Sequence, residues 1–359
     1  MDTTETTIFR RILVEAAKRE ASDLHFTVGS RPMVRVDRNL AMLDEEEVCT
    51  QDIITGVVNS IFTPEQLEAL HTNRDIVVTK VFFDRIRTKV HAFYQEDFLA
   101  LSFRFLNLHA KTLKEFQVPA VIEKLASNMR GLLLVAGSYG SGRTTLATAM
   151  LEQINRTRIA HIMTIERPIE YNLVSNKSIV NQREVGKDVA SFNEALERTQ
   201  EEDVDVLFVS ECSSPSVVRQ VLELANSGIF VIAIVDTDAA VHAIEKIIAS
   251  FEEHEQQYIR GLLADTLQGV IVQALLPKIG GGLAAVYEVL VNNASAKSLM
   301  VANRISQLSQ LIVSSKSEGM MSMDTELATL VRSQNVSTDT ARQYVKNKET
   351  FESLIKGVF

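Results

Sequence analysis

The sequence predicts an α/β protein in two parts: a small α+β unit, then a mainly parallel sheet covered on both faces and followed by a C-terminal helical appendage. Three observations predict this. From residue 131 onward, short apolar runs without alternation recur, each followed by a helical stretch, as expected of strands buried on both faces. The first of these runs ends in a glycine-rich loop that opens a helix, GSYGSGRTT at 137–145. Upstream of residue 107, apolar and polar residues instead alternate with period two or recur at helical spacing.

Taken in order, Ile8, Ile12, Leu13 and Ala16 mark a first helix, and an extended stretch at 23–28 follows. In TPEQ at 63–66, Thr63 caps a helix, Pro64 fits its first turn and Gln66 completes a capping box. Strands are predicted at 75–82, 85–94 and 99–106. In the second, Ile86, Thr88, Val90 and Ala92 alternate with Arg85, Arg87, Lys89 and His91, which places the basic groups on one face. Such a stripe is either a solvated outer face or a surface aimed at phosphate. Periodicity lapses over NLHAKTLKEFQVPA, and a linker is expected at 108–120.

Beyond it, strands are predicted at 131–136, 161–166, 205–211 and 229–235. Between them, a helix begins near Thr144, another opens at a Ser191/Glu194 capping box, and a third runs from Ser214-Pro215 to Gly228. From about residue 294 the pattern is helical. The expected units are therefore 1–107, a linker at 108–120, 121–293 and 294–359. There is no internal repeat.

Composition narrows the function. A formal charge of −9 argues against nonspecific nucleic-acid binding, which needs a basic surface. The longest apolar runs, such as Ile229–Val235, fall far short of the roughly 18 residues a membrane span requires. MDTTETTIFRR lacks the basic and apolar segments of a secretory signal, so a cytoplasmic location without membrane insertion is expected. Cys49 and Cys212 form no metal or disulfide pattern; Cys212 reads as a small apolar filler and the methionines as packing.

The glycine loop carries the chemistry. Gly137, Gly142 and Thr144 fit the spacing G-x-x-x-x-G-K-[ST], but Arg143 stands where the pattern has lysine. Main-chain N–H groups of such a loop bind phosphate with help from the positive helix terminus, and a side-chain change leaves them intact. The candidate nucleotide-binding residues are Gly137, Gly140, Ser141, Gly142, Arg143, Thr144 and Thr145, with the Thr144 hydroxyl offered to Mg²⁺. Lysine reaches the β- and γ-phosphates as a compact charge, whereas arginine is longer and forked. Losing a preorganised contact to the transition state costs roughly 2.7–4 kcal/mol, or about 10²–10³ in rate.

With ASDLH at 21–25, TIERPIE at 164–170, NQREVG at 181–186 and GMMSMD at 319–324, the chain resembles the type IV pilus retraction ATPases of the PilT/PilU kind over nearly its whole length. The resemblance implies an N-terminal PAS-like domain, a RecA-like P-loop NTPase domain and a ring of subunits. It further implies ATP and Mg²⁺ bound between the domains, with basic residues of the N-terminal strands directed at phosphate. Arg87, Lys89 and Arg104 fall at or near those positions. Glu211 matches the family's water-activating base and Glu166 its acidic segment. Read without the resemblance, Glu211 is equally a helix cap or an ion-pair partner.

The departures are as specific as the matches. The family's Glu-Asp-Pro segment here has Arg167 at the aspartate position. Its Gly-Glu followed by Met-Arg-Asp appears as Ser210-Glu211-Cys212-Ser213-Ser214, and two histidines are replaced by Ile229 and Asp236. These changes suggest a weakly active or inactive paralogue. It would form a homo-hexamer, or a hetero-oligomer with another retraction ATPase, beside the inner-membrane platform of the pilus machinery. An active ATPase with an arginine loop and a nucleotide sensor without turnover are the alternatives.

Overall fold

A computed structural model describes residues 4–37, 39–83, 86–106 and 110–356. The chain divides into two compact units, Met1–Leu108 and His109–Phe359. Arg85 of the basic stripe and residues 107–109 lie outside the described residues.

The first unit starts with the helix Thr4–Lys18 and continues through β1 (Asp23–Phe26), β2 (Met33–Val36) and β3 (Asn39–Met42). The helices Gln51–Ile61 and Pro64–Asn73 then lead into β4 (Asp75–Phe82), β5 (Ile86–Gln95) and β6 (Phe98–Leu106). The strands form one antiparallel sheet in the order β3-β2-β1-β6-β5-β4. Its core gathers Phe9, Phe26 and Phe103, with the Phe9 and Phe103 ring centroids 5.2 Å apart. The alternation in β5 has the predicted outcome: Thr88, Val90 and Ala92 are buried, and Arg87, Lys89 and His91 are half-buried on the other face.

The reciprocal capping box at Thr63 is formed, with Gln66 N–H donating to Thr63 Oγ1 at 3.3 Å and Thr63 N–H donating to Gln66 Oε1 at 3.2 Å. Thr63→Ala removes the half accepted by Thr63 Oγ1 and keeps the half donated by the main-chain N–H, and is expected to lower stability by about 1 kcal/mol, measurable by urea unfolding.

The second unit opens with the helices Leu113–Phe116 and Ala120–Ala126. The first of these lies in the expected linker segment. It carries its own Thr112/Glu115 capping box and buries Leu113 in the core of this unit. Next come β7 (Gly131–Ala136), the helix Arg143–Thr157, β8 (His161–Glu166), β9 (Ile179–Glu184) and the helix Phe192–Thr199. They are followed by β10 (Val206–Val209), the helix Pro215–Asn226, β11 (Phe230–Val235), and the helices Ala240–Ala249 and Glu253–Thr266. The long hairpin of β12 (Leu267–Pro277) and β13 (Leu283–Val291) precedes the helices Ala294–Val301, Leu308–Ser314, Met323–Arg332, Thr338–Arg342 and Lys348–Lys356.

The sheet order is β13-β12-β7-β11-β10-β8-β9, parallel throughout except where β13 runs against β12. β7 shows why both faces must be covered. Leu132, Leu134 and Ala136 enter one core, while Leu133 and Val135 enter another with Leu146 and Met150 of the helix after the glycine loop.

Two expectations need correction. The strand predicted over 205–211 is only Val206–Val209, although Ser210 N–H still reaches Ile165 O and Cys212 N–H reaches Ile234 O. Ser191 does cap its helix, accepting from Glu194 N–H at 3.2 Å, but the Glu194 carboxylate lies 3.8 Å from Arg198. The methionines at 163, 300, 320, 321 and 323 behave as packing: Met163, Met300, Met320 and Met323 are buried and Met321 is partly buried against a core, whereas Met42 and Met129 are exposed. Cys212 is also buried, and its thiol is pushed up to about 12 by desolvation.

Candidate functional site

Parallel strands deliver their following loops to one edge of a sheet, and ligands of open α/β sheets bind there. β7, β11, β10 and β8 lie side by side, so the glycine loop, Asp236, Ser210–Glu211 and Glu166 all emerge at that carboxyl edge. Ile229 does not. It precedes β11 at the opposite edge, where its carbonyl accepts from Gly131 N–H at 3.1 Å.

The loop has the shape of a peptide cradle. Gly137 (φ 151°) and Gly142 (φ 85°) adopt backbone that side chains rarely tolerate, and both are closely approached by β12. A Cβ on Gly137 would collide with Gln273 O and Ser141 Oγ; one on Gly142 would lie 2.6 Å from Gln273 Nε2. That same Nε2 donates to Ser141 O at 2.8 Å and fixes the loop's floor. Ser141 is fully buried, and its hydroxyl has no hydrogen-bond partner. Gly140 is exposed at the loop's crest and Thr144 is half-exposed at the helix start. Thr145 Oγ1 shares a 2.7 Å hydrogen bond with Tyr171 OH. Gly-rich backbone, an orphaned hydroxyl and a helix N-terminus fit a phosphate chain.

Arg143 departs from that cradle. Its Nη1 donates to Asp236 Oδ1 at 2.9 Å and to Val235 O at 3.2 Å, so the guanidinium is tied to the end of β11. The Arg143 side chain is only 15% exposed, against 71% for Asp236. Lys246 holds the same turn from below through a 3.0 Å bond to Asp236 O. Two positions that depart from the family pattern, 93 residues apart, are therefore one ion pair.

The two carboxylates have opposite surroundings. Glu166 is 2% exposed and accepts at Oε1 from Thr164 Oγ1 (2.7 Å) and Gln182 Nε2 (3.1 Å). Burial pushes its carboxyl up to about 7, against the lowering effect of those two bonds, and Glu170 adds to the rise. Gln182 belongs to the NQREVG segment on β9, which thus holds Glu166 in place. Glu211 is exposed and accepts from Ser213 Oγ at 2.9 Å. Arg167 is exposed too; its N–H donates to Ser210 Oγ and its guanidinium lies over the Phe192 ring at 5.0 Å.

In the first unit, Lys89 on β5 stands opposite Arg104 on β6, and Arg87 lies two residues along β5. Arg104 forms a 3.1 Å ion pair with Asp23 of the ASDLH segment. His91 is bonded to Asp75 at 2.7 Å. The stripe is thus partly neutralised from within.

Sequence reasoning missed a cavity of about 970 Å³ that borders the loop at Gly137 and Ser138 and includes His242, Glu288 and Lys346. Glu288 accepts from Ala240 N–H and from Lys346 Nζ, each at 2.8 Å. Asp324 of GMMSMD accepts from the N–H groups of Lys346 (2.8 Å) and Asn347 (2.9 Å). These partners lie far apart in sequence, and no local pattern announces them.

A glycine loop between a central parallel strand and a helix, with acidic residues ending the neighbouring strands, defines a RecA-like P-loop fold. A profile described as Type II/IV secretion system protein matches residues 98–356. The type IV pilus retraction ATPase PilT of Pseudomonas aeruginosa is 34% identical over 356 residues, covering 98% of this chain and 100% of its own length. The chain belongs to this family of secretion and pilus ATPases, in its pilus retraction branch.

The type IV pilus ATPase PilU of the same organism is 28% identical over 97% of this chain and 91% of its own. A crystal structure of the pilus retraction motor PilT with bound ADP matches with a TM-score of 0.83 at 33% identity, covering 95% of this chain and 98% of that one. The Legionella pneumophila ATPase DotB shares the fold, with a TM-score of 0.84 at 19% identity. Among the described residues, no helix is long and apolar enough to cross a membrane.

Proposed function

We propose that the chain is a retraction-motor subunit that binds adenine nucleotide but hydrolyses it weakly or not at all, and that it acts with a competent retraction ATPase. The observation that carries this reading is the Arg143–Asp236 pair. The cation that would neutralise charge developing on the β- and γ-phosphates is tied to a strand end. The peptide cradle from Gly137 to Thr145 supports retention of ATP or ADP, with Mg²⁺ on Thr144. Arg87, Lys89 and Arg104 are carried over from the family resemblance as phosphate-directed cations, and Arg104 also pairs with Asp23.

In this reading the protein works in a ring, a homo-hexamer or a hetero-oligomer with the active ATPase, in the cytoplasm against the inner-membrane platform of the pilus. Glu211 favours a second reading, an active ATPase, since it stands exposed at the end of β10 as a water-activating base would. A nucleotide sensor without turnover is the third, and the intact loop favours it.

Steady-state ATPase measurements on the full chain, paired with nucleotide binding, separate the three. Turnover is expected about 100-fold or more below that of a lysine-loop relative. Arg143→Lys alone is expected to leave it low, because Arg167, Ser213 and Asp236 remain. Turnover at ordinary motor rates that Glu211→Gln abolishes would establish the second reading instead. Tight binding with no turnover, and no effect on the turnover of a competent ATPase mixed with it, would establish the third.

A further inference from the structure

We infer that Asp236 sets the phosphate-number specificity of the loop: by holding Arg143 against β11 it makes the site nearly indifferent between nucleoside di- and triphosphates. The inference rests on the nucleotide-binding reading given above and deepens it. Both hydrogens of Arg143 Nη1 are committed, one to the Asp236 carboxylate and one to the Val235 carbonyl. The charge that a loop lysine offers to the β- and γ-phosphates is here cancelled within the protein.

Within the loop, what remains to bind phosphate is the peptide cradle, whose N–H groups surround the inner phosphates and gain little from a third one. Asp236 follows β11, the strand paired with the one that leads into the loop, and it adds a largely exposed negative charge at that edge of the sheet. Asp236 is therefore a positioning residue: it acts on the ligand through Arg143. The second cation at this turn, Lys246, bonds to the main-chain oxygen of Asp236 and keeps its partner whatever side chain stands there.

Asp236→Asn keeps an oxygen that can accept from Arg143 but removes its countercharge, so the forked guanidinium is held more weakly and its charge is open to phosphate oxygens. The test compares Mg²⁺-ADP and a Mg²⁺-loaded β,γ-imido ATP analogue by calorimetric titration of the full chain, with thermal melts to verify folding. The parent protein is expected to bind the two within about threefold of each other. Asp236→Asn is expected to favour the triphosphate analogue about tenfold, equal to about 1.4 kcal/mol. Adding Arg143→Ala to Asp236→Asn is expected to erase that preference, an effect that mere repair of a strained turn would not produce.

A parent protein that already prefers the triphosphate strongly would overturn the inference. So would an Asp236→Asn ratio equal to the parent's, or a gain that survives Arg143→Ala; in these cases the nucleotide reading stands. Failure of every variant to bind either nucleotide would overturn the nucleotide reading, and the specificity inference with it.

Discussion

Gly137→Ala is expected to cost at least about 3 kcal/mol and to abolish nucleotide retention. The added methyl meets a main-chain oxygen, Gln273 O, in β12, the strand directly paired with β7. An oxygen in a sheet cannot turn aside as a flexible side chain would. Backbone strain at this φ contributes about 1–3 kcal/mol and overpacking a similar amount. The transition of the second unit is expected to fall by about 6–12 °C. Gly280→Ala is the control, since Gly280 also has positive φ (93°) but an added Cβ there meets nothing within 4 Å. Its cost is expected near 1 kcal/mol. Equal losses for the two variants would mean that conformational strain, and not the approach of β12, shapes the loop.

Glu166→Gln is expected to stabilise the protein increasingly as pH rises. Burial pushes the folded Glu166 carboxyl up to about 7, against an ordinary value of 4.5. A raised acid contributes fully below 4.5, where it is protonated in both states, and its contribution is lost as pH climbs toward 7. The parent therefore forfeits up to about 3 kcal/mol between pH 4.5 and 7, with a plateau above. A glutamine oxygen can still accept from Thr164 and Gln182 without carrying charge into the core. The stability gap between variant and parent, from urea unfolding at pH 5, 6, 7 and 8, is expected to widen over this range. A gap that does not change with pH would mean that Glu166 titrates as an ordinary carboxylate.

Much of the second unit was legible because buried parallel strands write themselves as unbroken apolar runs. β7 and β8 have the predicted bounds to the residue, and the Ser214-Pro215 and Thr63-Pro64 starts open helices as read. β12 was missed because it follows the helix ending at Thr266 directly, with no loop between the two to mark where helix gives way to strand. β9 was missed for the opposite reason: it is a half-exposed edge strand whose Asn181, Gln182 and Arg183 read as loop. β2 and β3 are four residues each, too short to establish a period.

Residue identities at the site could be read in sequence; their partnerships could not. Arg143 and Asp236 were noted separately, and only the adjacency of β7 and β11 joins them. Likewise the bond of Gln182 to Glu166 depends on β9 lying beside β8. Ile229 shows the converse, since a shared departure from the family pattern does not bring it to the same edge of the sheet.

The helices after residue 294 complete one core of the sheet: Met300, Leu308, Ile312, Leu327 and Phe351 pack with Leu132 and Leu134 of the central strand. Asp324 and Glu288 gather Lys346 and Asn347 onto this assembly. On the ribosome, β7 is made long before Phe351, so this core stays unfinished until those last helices emerge. The first unit, whose core among the described residues is built from its own side chains, can close while synthesis continues. The glycine loop is thus among the earlier parts of its unit to be translated and among the later to gain a finished support.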